Sequence, residues 1–452
     1  GIQSMLVSMS IIFSALSDPA SVLGWWLVVF LLVAIVPQGI LTAWFVQLMR
    51  SKSQAYAARV GIREQSAGVP AEVVLCLRGC DPTLKQVFES LARQRYNHWR
   101  LRVVVDSKTD PAWPVATATV AQLTKDQRPS WREVTIEPLA QRPTEGSLKC
   151  ASLRQVLQTL DPQTQVVALI DADCIVSDQW LLSLVDLCLQ PGVGAVSGNR
   201  WYEPVGNSLT GTVRAIWNAG AIVQMTAFGI PWGGSLAVRR DALEACRWVD
   251  VLRTTLCEDT SLISPLTQAG WRYCFVPPLL AIDEDDAILI APLTRWISRQ
   301  LLTARLHHPL WPLVAAHGLF TSAVLAAAVI FCAVAIVFSN WPGLALVASS
   351  LAAYEAISVL LVLVIKQSAA RAVAVVQTNL RPLSSGQVFR WILLLPLTQI
   401  VYAVAIVSSL QARSIEWRGI TYRITRFSGR LGVSSNASPA ASLEQAVAQV
   451  HG

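Results

Sequence analysis

The segment QVVALIDAD, residues 165–173, indicates the fold of the central part of the chain. Its apolar, β-branched run predicts a strand that is buried on both faces of a sheet. Short strands alternate with helices around it: strands are predicted at 72–78, 100–105 and 193–197, and helices at 82–95, 147–160 and 178–189. This alternation predicts an α/β fold with a mainly parallel sheet covered by helices on both faces.

Aspartates follow two of the predicted strands, at the edge where parallel sheets bind their ligands. Asp106 follows the strand at 100–105, and Asp171 and Asp173 follow the strand at 165–170. Two carboxylates one residue apart suit Mg²⁺ or Mn²⁺, because these cations prefer oxygen ligands and share their coordination shell with substrate phosphates. The alternative is a solvated turn whose aspartates cap a helix.

Two further motifs in this block have both a chemical and a purely structural interpretation. Glu258 and Asp259 precede a helical stretch, where they either cap the helix or supply a general base that deprotonates a hydroxyl. Gly233, Gly234 and Ser235 either allow a ligand to approach the backbone closely or form a tight turn.

A basic and apolar stretch begins at Arg295 and Trp296, directly before a long apolar run. Its arginines and aromatic residues suit a helix that lies at a membrane interface. Arg295 alternatively neutralises a leaving diphosphate.

The composition excludes a wholly soluble protein and a disordered one. Of the 452 residues, 53% are hydrophobic and only 14% are charged, against roughly 25% charged in an average soluble protein. The apolar excess is concentrated in four runs, at 24–48, 313–338, 343–365 and 391–410. A bilayer-spanning helix needs about 20 apolar residues, so all four runs are predicted to be transmembrane helices.

The basic surplus lies beside these runs. Residues 295–430 contain twelve Lys or Arg and two acids, a net charge of +10 against +7 for the whole chain. Such a distribution fits anionic lipid headgroups, and its interleaving with the apolar runs argues against nucleic acid as a partner. The nine cysteines include no C-x-x-C motif and suit free thiols in a reducing cytoplasm.

The order of these motifs, from Asp106 through D-A-D, G-G-S and E-D to R-W, resembles that of membrane-embedded, family 2-type inverting glycosyltransferases. Among these the chain is most similar to ceramide glucosyltransferases and their bacterial relatives, over about residues 70–310. The resemblance implies a GT-A catalytic domain, which is Rossmann-like. It also implies a UDP-sugar donor, with glucose as the expected sugar, and the hydroxyl of a membrane lipid such as ceramide as acceptor.

The resemblance also implies a role for each donor-side residue. It implies that Asp106 and Lys149 bind the donor, with Asp110 as a further acidic position in the same loop. It implies that Asp171 and Asp173 bind the nucleotide and the cofactor, Mn²⁺ or Mg²⁺.

On the acceptor side the resemblance implies roles for Gly233, Gly234, Ser235 and Glu258. It implies that Asp259 is the general base. Because this base acts without an enzyme nucleophile, transfer is expected to invert the anomeric centre in a single displacement.

Arg295 and Trp296 match the end of the family's (Q/R)-x-x-R-W motif and are implied to be catalytic. The first position of that motif is Pro292 in this sequence, and proline has no side-chain hydrogen bond to offer. The register of this segment is therefore open, with Arg299 or Gln300 as the alternative.

Five segments are predicted along the chain. Residues 1–50 form an N-terminal transmembrane anchor, and 51–294 form the GT-A domain. Residues 295–312 form an interfacial amphipathic helix, and 313–411 form the C-terminal transmembrane helices. Residues 412–452 form a tail that is basic and then flexible.

Other functions remain as alternatives. A processive polysaccharide synthase would use the same chemistry but generally needs a larger helix bundle for its channel. An inactive glycosyltransferase-like membrane scaffold or sugar-nucleotide sensor would release no UDP. A transporter is disfavoured, because no cluster of ionisable side chains lies inside the apolar runs, where Glu355 is the sole acidic residue.

The predicted number of membrane spans is inconsistent with the position of the basic tail. Nucleotide-sugar supply and free cysteines place residues 50–310 in the cytoplasm, and three later spans would then put the arginine-rich segment 413–430 outside. That contradicts the positive-inside tendency. Either 391–410 is re-entrant or interfacial, or the number of spans differs; a cytoplasmic tail is expected.

Overall fold

The computed structural model describes residues 19–59, 68–126, 129–204, 206–284, 289–376, 380–427 and 430–435. The first elements are helix α1 (Pro19–Ala58), β1 (Ala71–Leu77), α2 (Leu84–Ala92), β2 (Trp99–Val105), α3 (Ala112–Asp126), β3 (Glu133–Pro138), α4 (Leu148–Leu157), β4 (Val166–Ile170), α5 (Trp180–Cys188) and β5 (Val193–Tyr202). They are followed by α6 (Leu209–Phe228), β6 (Ser235–Arg239), α7 (Arg240–Ala245), α8 (Trp248–Val251), α9 (Glu258–Gln268) and β7 (Arg272–Asp283). The last elements are α10 (Ile290–His307), α11 (Trp311–Val337), α12 (Trp341–Val373), α13 (Ser385–Gln411), β8 (Ser414–Trp417), β9 (Ile420–Phe427) and β10 (Arg430–Ser435).

Strands β1 to β7 form one sheet in the order β3-β2-β1-β4-β6-β5-β7. Only β6 runs antiparallel to its neighbours, so the predicted α/β fold with a mainly parallel sheet is confirmed. Leu77 in β1 lies opposite Val105 in β2, and Leu75 lies opposite Ile170 in β4. Because these strands are parallel and nearly in register, the residues that follow them emerge at one edge of the sheet.

Both faces of the sheet are covered by helices, as the apolar strands require. All five residues of β4 are buried. One face packs against α2, α3 and α5, and the other packs against α4, α7 and α9. The sheet is therefore the rigid support of the loops at its carboxyl edge.

In the described part of the chain, four helices are long and apolar enough to cross a membrane: α1 from Ser21, α11, α12 and α13. Their outward faces expose large apolar side chains such as Trp26, Val33, Ile330 and Phe389. Exposed apolar surface of this extent needs an apolar environment.

Three of these helices pack against one another along their length. At the end far from the sheet, Leu27 in α1 clusters with Phe331 in α11 and Val347 in α12. At the near end, Phe45 and Met49 of α1 pack against α12 and against the main sheet with its helices (residues 71–283), hereafter the catalytic block. Helices α1 and α12 therefore run parallel to each other, and α11 runs antiparallel to both.

Helix α13 packs differently from the other three. Trp391 and Leu395 near its start belong to the same cluster as Phe45 and Met49. Near its end, Val401, Ala405 and Ile406 pack against α10 and against the beginning of α11. Both halves of α13 thus contact the layer that adjoins the catalytic block.

The basic tail forms a second, antiparallel sheet in the order β10-β9-β8, and this sheet is docked on the catalytic block. The amide of Gly146 donates to the carbonyl of Val433 (2.7 Å), and the amide of Val433 donates to the carbonyl of Thr254 (2.9 Å). The tail, which is predicted to be basic and then flexible, forms strands as far as Ser435 at the end of β10, because these distant loops supply backbone partners to that strand. The remainder of the predicted flexible tail, 436–452, lies outside the described residues.

A buried ion pair links the long apolar helices to the catalytic block. Lys366 in α12 places its Nζ 2.5 Å and 2.7 Å from the carboxylate oxygens of Glu203, which follows β5. Both side chains are almost completely buried, and Trp201 Nε1 also donates to this carboxylate (3.0 Å). Removal of one partner would leave the other charge buried without compensation.

Lys366→Met should therefore lower the stability of the protein by about 3–5 kcal/mol. We expect a clear fall in the thermal unfolding midpoint in detergent. Arg371→Met, an exposed change on the same helix, is the matched control and should leave the midpoint nearly unchanged. Equal midpoints for the two variants would contradict this assignment.

Candidate active site

A cavity of about 270 Å³ opens at the carboxyl edge of the main sheet. Of the residues predicted to be functional, those that line it are Asp106, Lys149, Asp171, Asp173, Glu258, Asp259 and Trp296. The strand ends that converge at this edge explain why residues so far apart in sequence meet in one cavity.

Asp106 lies between two arginines. Its Oδ2 accepts hydrogen bonds from Arg78 and from Arg142 Nη2 (2.6 Å). Its Oδ1 is buried and has no hydrogen-bond partner among the described residues. Asp110 instead accepts from the amides of Gly79 (3.0 Å) and Ala112 (2.8 Å), so it fixes the turn before α3.

Lys149 joins two acidic residues from different elements. Its Nζ lies 2.6 Å from Asp171 Oδ1 and 2.6 Å from Glu258 Oε1. Burial lowers the pKa of Lys149, but the two carboxylates outweigh it and hold this pKa well above its usual value. The lysine sits in the first turn of α4, where Ser147 caps the helix through the amide of Cys150 (3.1 Å).

Asp173 is held by an arginine that follows from neither the motifs nor the resemblance. Arg200 in β5 donates to both carboxylate oxygens of Asp173 (2.9 Å and 2.6 Å). The guanidinium carbon of Arg200 lies 4.8 Å from the centroid of the Trp232 ring. Burial raises the pKa of Asp173, yet the charges of Arg200 and then Arg418 bring it down to about 2.

The side chains of Asp171 and Asp173 are 28% and 34% exposed, and both reach the cavity. Among the described residues, no group of three or more His, Cys, Asp or Glu is arranged to hold a cation by itself. Mg²⁺ is commonly bound through one or two carboxylates and completed by substrate phosphates. Two carboxylates at the cavity wall fit a cation of that kind.

Asp259 lies at the first turn of α9, where the helix dipole favours a negative charge. Its Oδ2 accepts from the amide of Gly233 (2.8 Å), and its Oδ1 accepts from the amide (2.5 Å) and hydroxyl (2.9 Å) of Thr260. These bonds fix the carboxylate at the cavity wall. The neighbouring Glu258 is completely buried, and burial raises its pKa.

The segment Gly233–Ser235 supports Asp259 from behind. A Cβ at Gly233 would collide with Glu258 and lie 3.2 Å from Asp259 Oδ2, so the close approach requires glycine. Ser235 is buried and accepts a hydrogen bond from Trp180 Nε1 (2.8 Å). The cavity wall passes through Trp232 and Asp259 and does not include Gly233, Gly234 or Ser235.

Helix α10 presents one face to the cavity, and this face clarifies the uncertain register. Trp296, Arg299, Gln300 and Thr303 line the cavity at helical spacing. Arg295 is exposed to solvent and lies off that face. The structure therefore does not bring Arg295 to the site, whereas Arg299 is one turn further along and does line it.

Aromatic side chains form the other end of the cavity. Trp296 contacts Tyr202 and Trp217 edge to face, each with ring centroids 5.3 Å apart. Trp217 belongs to α6, which packs against α13 and α1. The aromatic end of the cavity thus adjoins the apolar helices, and the charged end adjoins the strand ends.

Other lining residues were not predicted. Arg78 directly follows β1. The expectation that residues at strand ends bind ligands, which identified Asp106 at the end of β2, therefore also applies to Arg78. Trp417, Arg418 and Tyr422 reach the cavity from the tail sheet, and nothing local in the sequence indicates that contact.

Comparison with known proteins places the chain in a family. The sequence model of glycosyl transferase family 21 matches residues 27–428. No curated protein matches the chain.

Several solved structures are similar to the chain. A mannosyltransferase from Pyrobaculum calidifontis in complex with GDP-Man and Mn²⁺ is 15% identical, with 83% of this chain and 99% of that chain covered and a TM-score of 0.41. Glucosyl-3-phosphoglycerate synthase from Mycobacterium tuberculosis, in complex with Mn²⁺, UDP and phosphoglyceric acid, is 18% identical, with 48% and 71% covered and a TM-score of 0.34. TarS of S. aureus is 13% identical, with 81% and 60% covered and a TM-score of 0.33.

His307 should make the stability of this region depend on pH. Its Nε2 accepts a hydrogen bond from the amide of Leu256 (3.3 Å), and burial lowers its pKa to about 4. Because the folded pKa lies below the unfolded value of about 6.5, the neutral ring stabilises the fold above pH 6.5. That contribution, about 3 kcal/mol at most, is lost as the pH falls towards 4.

Thermal unfolding at pH 7 and pH 5 tests this assignment. The midpoint of the wild-type protein should fall more on acidification than that of His307→Gln, which keeps an acceptor but does not titrate. Parallel falls in both proteins would show that His307 is not the source.

Proposed function

Because the chain belongs to glycosyl transferase family 21, we propose that it is a hexosyltransferase that moves one glucose from UDP-glucose to the hydroxyl of a membrane lipid such as ceramide. The observation that carries this proposal is the cavity at the carboxyl edge of the main sheet. It joins a cluster of carboxylates at the strand ends to an aromatic wall beside the apolar helices.

The donor occupies the charged end in this proposal. The free Oδ1 of Asp106 is an acceptor for the imide N–H of uracil. Asp171 and Asp173 would hold Mn²⁺ or Mg²⁺, which supplies positive charge to the donor diphosphate. Lys149 holds Asp171 in place through a 2.6 Å contact with its Oδ1.

The acceptor hydroxyl is placed against Asp259. As its oxygen forms a bond to the anomeric carbon, its proton passes to the Asp259 carboxylate. The bond from that carbon to the β-phosphate oxygen breaks, and the electron pair leaves with UDP. The reaction is a single displacement, so it inverts the configuration of the anomeric carbon.

The aromatic wall suits the neck of a lipid acceptor. Trp217, Trp296 and Tyr202 border the cavity where α6 and α10 meet the apolar helices. Aromatic rings are favoured at membrane interfaces because they combine an apolar body with a polar edge. A lipid hydroxyl reaches Asp259 from that side without leaving the membrane region completely.

The chain is proposed to be multi-pass, with the catalytic domain and the tail sheet both in the cytoplasm. Helices α1, α11 and α12 are the spans, and α13 lies along the interface. This assignment rests on the contacts of α13, since both of its halves pack beside the catalytic block. It keeps the basic segment 413–430 on the positive side of the membrane.

The direct test of function uses the purified full chain in nanodiscs. It is incubated with labelled UDP-sugars, Mn²⁺ and a panel of ceramide, diacylglycerol, sterol and polyprenyl phosphate, and the products are identified by mass spectrometry. A glycolipid with a single sugar supports the proposal. A ladder of products would support the processive synthase, and absence of both UDP release and product would support the inactive scaffold or sensor.

Asp259→Asn should reduce turnover by about 10²–10⁴-fold, because the amide cannot accept the hydroxyl proton. UDP binding should be preserved, since the donor residues are unchanged. The control is Asp241→Asn, an exposed aspartate in the first turn of α7. Full turnover in Asp259→Asn with the donor bound would remove Asp259 as the base.

The proposed position of α13 predicts the same side for both of its ends. One epitope tag is inserted between α12 and α13, and another is placed at the C-terminus of the full chain. Antibody should reach both tags in inside-out vesicles and neither tag in right-side-out vesicles. Tags on opposite sides would show that α13 spans the membrane.

A further inference from the structure

The C-terminal tail delivers one arginine into the cavity at the tip of a hairpin. Strands β8 and β9 are joined by Arg418 and Gly419, whose φ angles of 48° and 72° are those of a type I′ turn. This turn places Arg418 at the cavity wall, together with the flanking Trp417 and Tyr422. Glycine tolerates the left-handed conformation, and the surrounding contacts hold Arg418 in it.

Several contacts hold the hairpin tip against the donor end of the cavity. Arg418 Nη1 donates to the carbonyl of Arg78 (2.5 Å), and Arg78 Nε donates to the carbonyl of Arg418 (2.8 Å). The amide of Leu148 donates to the hydroxyl of Tyr422 (3.3 Å). Because Arg78 also binds Asp106, the tip is tied to the residue proposed to bind the base of the donor.

Five Lys or Arg side chains line the cavity, and three of them are paired with carboxylates. Arg78 forms an ion pair with Asp106, and Arg200 forms one with Asp173. Lys149 forms ion pairs with both Asp171 and Glu258. In the described part of the chain, Arg299 and Arg418 have no carboxylate partner. Arg299 lies over the ring of Trp417 (5.3 Å), and Arg418 binds only a backbone carbonyl.

These two guanidinium groups repel each other across a desolvated space. Burial and then the charge of Arg418 lower the pKa of Arg299. The charge of Asp171 raises the pKa of Arg299, and the charge of Arg418 lowers the pKa of Asp173. Both arginines therefore lie close to the proposed metal carboxylates. An anion bound between the two arginines would relieve the repulsion and satisfy their free donors.

We infer that Arg299 and Arg418 form a clamp for the diphosphate of the nucleotide-sugar donor, so that the C-terminal hairpin is part of the donor site. This inference rests on the proposed function for the identity of the ligand. When the bond to the anomeric carbon breaks, the electron pair remains on the β-phosphate oxygen and the diphosphate gains a negative charge. Two fixed guanidinium groups stabilise that charge as it develops.

The test compares UDP with uridine, which has the same base and ribose but no phosphate. Dissociation constants are measured by titration of the full chain in nanodiscs with Mn²⁺, for the wild type and for Arg418→Ala, Arg418→Lys and Arg299→Ala. The matched control is Arg423→Ala, an exposed arginine in β9 of the same hairpin.

We expect Arg418→Ala and Arg299→Ala to weaken UDP binding by about tenfold or more and to leave uridine binding unchanged. Arg418→Lys should restore part of the UDP affinity, and Arg423→Ala should match the wild type. The clamp is excluded if Arg418→Ala binds UDP as the wild type does. It is also excluded if UDP and uridine weaken equally, because that result indicates a purely structural role.

Turnover of UDP-sugars with the lipid panel separates this inference from the proposed function. Full activity in Arg418→Ala would contradict the clamp and would not affect the proposed function. If the wild type is inactive but its UDP binding still depends on Arg418, the result would contradict the proposed function and support the clamp.

Discussion

The arrangement of the site depends on one partly buried cation, the ammonium of Lys149. It lies between Asp171 at the end of β4 and Glu258 at the start of α9. A buried Glu258 without this partner would be an uncompensated charge, which typically costs several kcal/mol. Because Asp259 follows Glu258 directly, the same interaction fixes the distance between the aspartates at the strand end and the candidate base.

The rest of the cavity is completed by parts of the chain outside the sheet. Helices α6 and α10 supply the aromatic wall and pack against the apolar helices, while the tail hairpin supplies Arg418. The Lys366–Glu203 pair fixes the long apolar helices to the block that carries the site. This interdependence agrees with a family match that extends over residues 27–428 rather than over the catalytic block alone.

The sequence indicates the parts of this arrangement that depend on local pattern. The run before Asp171 predicts both a buried strand and the position of its aspartates, and the apolar runs predict the long helices. It does not indicate Arg200 or Arg418, since their role depends on contacts between distant segments. Helix α13 has the length and composition of a span, and only its packing beside the catalytic block distinguishes it from the other three. Arg295 and Arg299 are both basic residues of one helix, and only the orientation of α10 separates them.

The central claim is that one displacement within this cavity transfers a single sugar to a membrane lipid. The anomeric configuration of the product tests it most directly, measured by NMR after incubation of the full chain with ¹³C-labelled UDP-α-glucose and ceramide in nanodiscs. The account predicts a lipid that carries one β-linked glucose. An α-linked product, or a polymer of glucose, would contradict it.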